Sequence, residues 1–370
     1  MKKIKIIRLT CAMLSLLAVV GCSVKEEGNK VTVKEPGGSI TIIDDKDKDK
    51  EVEEPSISVG KIDTYENLEI SDWLSKDVVI VSKENENLEK MKLEELSDSY
   101  PKSLYLYNLT TKEYTLLKEE QNLNLGGATL SPDKKHLLYY GNSLGDESYY
   151  VLDIESLENI NILKGAVRGA KWVDEDRIIG TGYSNGAYYV STQGENILLK
   201  ELDEESIFTI TKINDIIYYN TSSDSSLMAF NLLNKEVSSL NLSDVFNVYS
   251  APDQKQMLVL DHKGSKQSLA LYDVDGSNGK IIAESLEIGG VSWSPDQRMI
   301  AYSMKEDGSS SNVSGLYLYD MLTGKSTQIG VDIWNVATSW SPSGEELSCI
   351  QWDGKQYNSS IVYLNYGLQK

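Results

Sequence analysis

Residues 292–303 read SWSPDQRMIAYS: a tryptophan, then Ser-Pro-Asp, then a short apolar run. Closely similar stretches stand at 129–140 (TLSPDKKHLLYY) and 339–350 (SWSPSGEELSCI), and a fourth at 250–261 (SAPDQKQMLVLD). Proline presets φ for the first central position of a tight turn and aspartate suits the second. Each stretch therefore reads as strand, turn, strand.

Three further stretches keep the pattern without the proline: SDWLSKDVVIVS (71–82), KWVDEDRIIGTG (171–182) and TITKINDIIYYN (209–220). Aligned on the proline, the seven positions are Ser75, Pro132, Asp174, Lys212, Pro252, Pro295 and Pro342, spaced 57, 42, 38, 40, 43 and 47 residues apart. A charged insertion at 83–101, with a possible short helix at 88–98, lengthens the first interval. Two residues before these positions stand Trp73, Leu130, Trp172, Ile210, Ser250, Trp293 and Trp340. Six of the seven are bulky and apolar, as a shared packing role requires.

Downstream of each hairpin comes a third strand, from LYLYNL (104–109) through LYLYDM (316–321) to IVYLNY (361–366), and after the first six a turn and a fourth, such as YTLLK (114–118). Four short antiparallel strands every forty-odd residues describe a β-propeller blade. The fold class is therefore all-β, a seven-bladed propeller. Only GLQK follows IVYLNY, so the seventh blade lacks a fourth strand, while TYENLEI (64–70) precedes the first repeat without a blade of its own. Pairing the two closes the ring and removes two exposed edges.

The repeat resembles the WD40-like unit of the TolB-type propellers, W-S-P-D-G-K followed by an apolar strand, over residues 61–370. The resemblance implies the propeller fold. TolB-like proteins carry an α/β domain before their propeller, and this chain has a polar segment there, so no partner is carried over.

The chain opens MKKIKIIRLTCAMLSLLAVVGCS, with Lys2, Lys3, Lys5 and Arg8 before an apolar stretch from Leu9 to Val20. That length suits a signal peptide better than a membrane span. Val19-Val20-Gly21-Cys22 resembles the lipobox of bacterial lipoproteins, which implies cleavage before Cys22 and acylation of its thiol. The expected division is a lipoprotein signal peptide at 1–21, a disordered acidic tether at 22–60 and the propeller at 61–370. The tether contains IDDKDKDKEVEEP, whose interleaved lysines and lack of a turn glycine argue against a calcium loop. The expected location is the extracytoplasmic face of the cell membrane, with the lipid on Cys22 as the anchor.

Removing residues 1–21 removes four basic and no acidic residues, taking the formal net charge from −20 to −24. Such a chain repels nucleic acid. With Cys11 cleaved away and Cys22 acylated, Cys349 is the one free thiol, in an apolar run that reads as buried. His136 and His262 are the only histidines and stand without clustered cysteines or patterned carboxylates, so no metal or other cofactor is expected. GNSLG (141–145) matches a nucleophile elbow literally but joins two strands with no helix after it, and it reads as a loop. GKST (324–327) lacks the earlier glycine of a phosphate loop, and Asp273, Asp275 and Gly276 read as a turn.

Function is then expected on the loops that the repeat does not dictate. In propellers ligands engage the face formed by connections between fourth and next first strands and between second and third strands. Here those connections hold Arg168, Tyr183, Asn185, Asn247, Tyr249, Asp332, Trp334 and Asn335, with Trp334 outside the repeating tryptophan phase. The reading is a non-enzymatic, lipid-anchored module for a protein or peptide of the cell envelope. The alternative is an envelope hydrolase or lyase, or a glycan-binding protein, with its site in the central funnel. Convergent carboxylates beside a cation would favour the enzyme, and an aromatic-rimmed face the binder.

Overall fold

The computed structural model describes residues 26–27, 30–35, 38–43, 55–92, 98–143, 147–182, 186–199, 202, 206–305, 314–333 and 335–368. It forms two compact units, one ending at Glu54 and one spanning Pro55–Gln369. The larger is the propeller: seven antiparallel blades of four strands, six of them laid down in sequence order from inner to outer strand. Blade 1 consists of Glu69–Trp73, Val78–Glu84, Lys102–Asn108 and Tyr114–Lys118. Blades 2 and 3 share the long strand Asn159–Trp172. Its first half is the outer edge of blade 2, and its second half, paired with Arg177–Gly182, is the inner strand of blade 3. Blades 4, 5 and 6 begin at Ile207, Val245 and Glu287.

Blade 7 takes Ala337–Trp340, Glu346–Trp352 and Tyr357–Leu368 from the end of the chain and Pro55–Tyr65 from its beginning. The pairing runs from Ser359↔Tyr65 to Leu368↔Pro55. Closure is thus as the repeat required, but with a different segment: TYENLEI only supplies the end of this strand, a turn and the start of blade 1. The ring accordingly begins at Pro55, six residues before the expected boundary.

The segment read as a disordered tether also contains strands. Glu26–Glu27, Lys30–Glu35 and Gly38–Ile43 pair antiparallel as a separate three-stranded sheet. KVTVKE and GSITII alternate apolar with polar residues around Pro36-Gly37, a hairpin pattern that the neighbouring charge run obscures. The signal-peptide residues and Cys22 lie outside the described residues, as do 93–97; residues 88–92 are not helical. Among the described residues no helix is long and apolar enough to cross a membrane.

Among the described residues, hydrophobic side chains form seven clusters, one between each pair of adjacent blades. The recurrent tryptophans belong to these seams. Trp73 is 2% exposed and its indole N–H donates to the Ser339 carbonyl of blade 7 at 3.2 Å. Trp172 does the same to the Thr129 carbonyl of blade 2 at 2.9 Å.

The serine of Ser-Pro-Asp organises the turn. Ser294 Oγ donates to Asp296 at 2.6 Å and accepts the Met299 N–H at 2.8 Å, and Ser131 repeats both bonds with Asp133 and His136. Two residues after each proline the backbone is left-handed, at Lys134 (φ 61), Gln254 (58), Gln297 (60) and Gly344 (72). Blade 4 departs: Lys212 lies within its inner strand, paired with Ile217, and the turn is Asn214-Asp215. Gln254 of blade 5 holds that turn, its Oε1 accepting the Asn214 N–H at 2.7 Å. Gly276, at φ 83, and Asp275, whose carboxylate accepts the Ser277 N–H, form the expected turn.

Candidate functional site

Inner strands run toward the Pro-Asp turns, so their first residues surround the mouth of the axial channel on the opposite side of the ring. In six of the seven blades the register between inner and second strand shifts near that mouth, for example between Ile70 and Asp72 and between Val245 and Asn247. A shift of this kind bends the strand and re-aims side chains. It makes the mouth irregular where the seams are regular.

A cavity of about 600 Å³ opens there between blades 7, 1 and 2. It is lined by Ser71, Ser82, Gly126, Gly127 and Ala337, together with Lys102, Asn142, Asn335, Trp352 and Tyr357. Gly126-Gly127 is needed because the Tyr140 ring lies across it. A Cβ on Gly127, at φ +57, would meet that ring at 2.3 Å. Burial, with Glu69 and Glu147 nearby, pushes the Tyr140 phenol up to about 12, so it stays a neutral hydrogen-bonding group.

Lys102 Nζ donates to Glu69 and stands 5.4 Å from the centre of the Tyr357 ring, so this cation is already paired. Trp352 and Tyr357 close the hairpin of blade 7 with ring centroids 4.9 Å apart, and are 50% and 42% exposed. Two large aromatic rings left open above polar walls are what a contact surface for another molecule requires.

A second cavity, of about 480 Å³, lies across the ring between blades 3, 4 and 5. It is lined by Lys171, Thr181, Thr209, Asn247 and the half-exposed rings of Phe208 and Phe246, whose centroids are 5.8 Å apart. The same two rings border an adjoining hollow with Asp244 and His262.

The residues expected from sequence divide between these places. Asn335 is on its loop, at φ 53, and lines the first cavity. Asp332 is on the same loop, where its carbonyl accepts from Gln351 at 3.3 Å, and it does not line the cavity. Asn247 and Tyr249 are not loop residues: both lie on the inner strand Val245–Ser250. Asn247 Oδ1 accepts from Lys171 Nζ at 3.3 Å, and its Nδ2 donates to the Tyr249 hydroxyl at 3.1 Å. Arg168 is in the strand Asn159–Trp172, just before Gly169, rather than in a loop. Tyr183, Asn185 and Trp334 lie outside the described residues.

Sequence reasoning missed Trp352, Tyr357, Tyr140, Lys102 and Lys171. The signal for Trp352 was present, since it is the second tryptophan outside the repeating phase. Lys171 was hidden beside Trp172 in a strand read as structural. Among the described residues no group of three or more His, Cys, Asp or Glu side chains is placed to hold a metal ion.

No family model matches the chain, and no curated protein matches it. Solved structures do. An oligogalacturonate lyase in complex with manganese aligns at TM-score 0.60 and 13% identity, over 82% of this chain and 91% of that one. The propeller domain of Cps50 (Swd1) from Myceliophteria thermophila aligns at 0.57 and 11%, over 83% and 99%. TolB from Acinetobacter baumannii aligns at 0.47 and 13%, over 80% and 67%. The first two likenesses are to the propeller fold alone.

Proposed function

We propose that this chain is a lipid-anchored propeller of the cell envelope that binds a protein or peptide at the cavity between blades 7, 1 and 2. The observation that carries the reading is the exposed Trp352–Tyr357 pair on the rim of a polar-walled cavity. Aromatic anchors of this kind dominate the energetics of protein contacts. Anchoring rests on the lipobox-like Val19-Val20-Gly21-Cys22, and two acyl chains on Cys22 hold a protein stably at a bilayer.

An enzymatic reading needs free carboxylates converging in the funnel. Glu69 is paired with Lys102, and both Asp72 oxygens accept hydrogen bonds from the ring itself. The same aromatic rim also suits a sugar ring, so a glycan is the second ligand class to be tested.

The test is a photo-crosslinking residue in place of Trp352, in the full chain on intact cells. The expected result is one reproducible envelope protein, lost on Tyr357→Ala and released from the membrane fraction by Cys22→Ala. Capture unchanged by Tyr357→Ala moves the site elsewhere. Binding of envelope glycan in its place selects the second class.

A further inference from the structure

We propose that the cavity between blades 3, 4 and 5 is a binding site for a small organic monocarboxylate, whose carboxylate pairs with Lys171 and whose apolar body lies against Phe208 and Phe246. Lys171 lines the cavity from the inner strand of blade 3, where its solvent-accessible ammonium donates to Asn247 Oδ1 at 3.3 Å. Every acidic side chain is outside ion-pair reach of this ammonium among the described residues, whereas Lys61, Lys76, Lys102 and Lys118 each have a carboxylate partner. An anion in the cavity supplies the missing charge.

The remaining lining sets the class of anion. Asn247 Oδ1 is also approached by Thr209 Oγ1 at 3.4 Å and by the Val248 N–H at 2.9 Å, so the amide oxygen orients Lys171 and leaves its other protons free. Thr181 adds a hydroxyl, while that of Thr209 donates to Asn247 Oδ1. One cation and one further hydroxyl match a single carboxylate; a phosphate dianion asks for more donors than the cavity has. Phe208 and Phe246, 39% and 43% exposed, give the rest of the ligand an apolar wall. About 480 Å³ is in the range of small-molecule sites. The net charge of −20 opposes an anion only at long range, since charges farther apart than about 8 Å are screened at physiological ionic strength.

The experiment is isothermal titration of the full chain with benzoate and phenylacetate, with the neutral benzamide and phenylacetamide, and with inorganic phosphate. At least one carboxylate is expected to bind one per chain, about tenfold or more tighter than its amide and tighter than phosphate. Lys171→Met should bring it to the level of the amide, while Lys171→Arg should hold it within about threefold. Phe246→Ser should weaken carboxylate and amide alike. Equal binding of carboxylates and amides, tighter phosphate, or carboxylate affinity unchanged in Lys171→Met overturns the proposal. These readouts use no residue of the cavity between blades 7, 1 and 2, so failure here leaves the functional reading standing, and the reverse.

Discussion

The Asp72 carboxylate accepts the backbone N–H of Leu130 at 2.7 Å, tying the inner strand of blade 1 to that of blade 2. Its other oxygen accepts the Trp73 N–H at 2.7 Å and the Ser339 hydroxyl of blade 7 at 3.3 Å. One side chain therefore joins three blades. Burial outweighs those bonds and holds the carboxyl above its ordinary value. A raised native pKa means that the folded state holds the proton more tightly. The contribution is thus present below the ordinary 3.8 and lost as pH rises through the native pKa. Asp72→Asn cannot titrate, so its melting temperature relative to wild type should rise between about pH 3.5 and about pH 7. A difference that stays flat would mean that Asp72 titrates normally. Asp72→Ala strands the Leu130 donor and should destabilise by about 1–3 kcal/mol at either pH.

Closure of the ring makes a second prediction. Ser359, buried in blade 7, donates to the Leu68 carbonyl at 2.7 Å and accepts the Ile70 N–H at 2.9 Å. These bonds fasten the last blade to the first beside the strand Pro55–Tyr65. Ser359→Ala should cost about 1–3 kcal/mol by chemical denaturation, the price of leaving two buried backbone groups unpaired. Deleting residues 55–65 exposes the edge of Tyr357–Leu368 and should lower the melting temperature of the whole domain and promote aggregation. A truncated chain that melts like the full one would contradict closure.

How much of this the sequence carries depends on how local the cause is. Ser294, Pro295 and Asp296 fix their own turn through bonds spanning five residues, so each repeat announces itself. Trp73 and Trp172 recur because most seams take a bulky apolar residue at this position, Ser250 being the exception. Blade 4 was misplaced by two residues because Asn214-Asp215 makes a shorter turn, steadied by Gln254 from forty residues away. The first cavity joins Glu69, Asn124 and Trp352, which only ring closure brings together. Asn247 resembled a loop residue because a register shift turns it into the channel, and such shifts leave no periodic trace.

Gly127 tests how the first cavity is shaped. Its left-handed backbone and its contact with Tyr140 both exclude a side chain. Gly127→Ala should destabilise by about 2 kcal/mol or more, combining backbone strain with displacement of a packed ring. Tyr140→Phe keeps the ring and should fold normally. Both are checked by denaturant unfolding; a neutral Gly127→Ala would refute the packing argument.

The turn positions after each proline offer a stabilising change. Gln297 is left-handed at φ 60. That conformation costs a non-glycine residue about 1–2 kcal/mol, while glycine loses about 0.5–1 kcal/mol of entropy on folding. Gln297→Gly should therefore gain about 0.5–1 kcal/mol. At the equivalent Gly344 a Cβ would lie 3.9 Å from its nearest neighbour, so there is room for it. Gly344→Ala should then lose about 0.5–1 kcal/mol, the left-handed cost less the entropy that glycine gives up on folding. The two variants should move the denaturation midpoint in opposite directions.

Cys349 reports on the last blade directly. It lies on the second strand of blade 7, paired with Thr338 and Ser360, and is 3% exposed in the seam between blades 6 and 7. Burial pushes its thiol up to about 11, so little thiolate exists at neutral pH and no reagent reaches it without opening the seam. In the native chain, peptide-resolved alkylation should leave Cys349 unmodified under conditions that label it fully after unfolding. Ser359→Ala loosens the neighbouring strand and should speed its modification, while Gln297→Gly, in blade 6, should slow it or leave it unchanged. Labelling in the native protein at the rate of an exposed thiol would show that the seam between blades 6 and 7 is open.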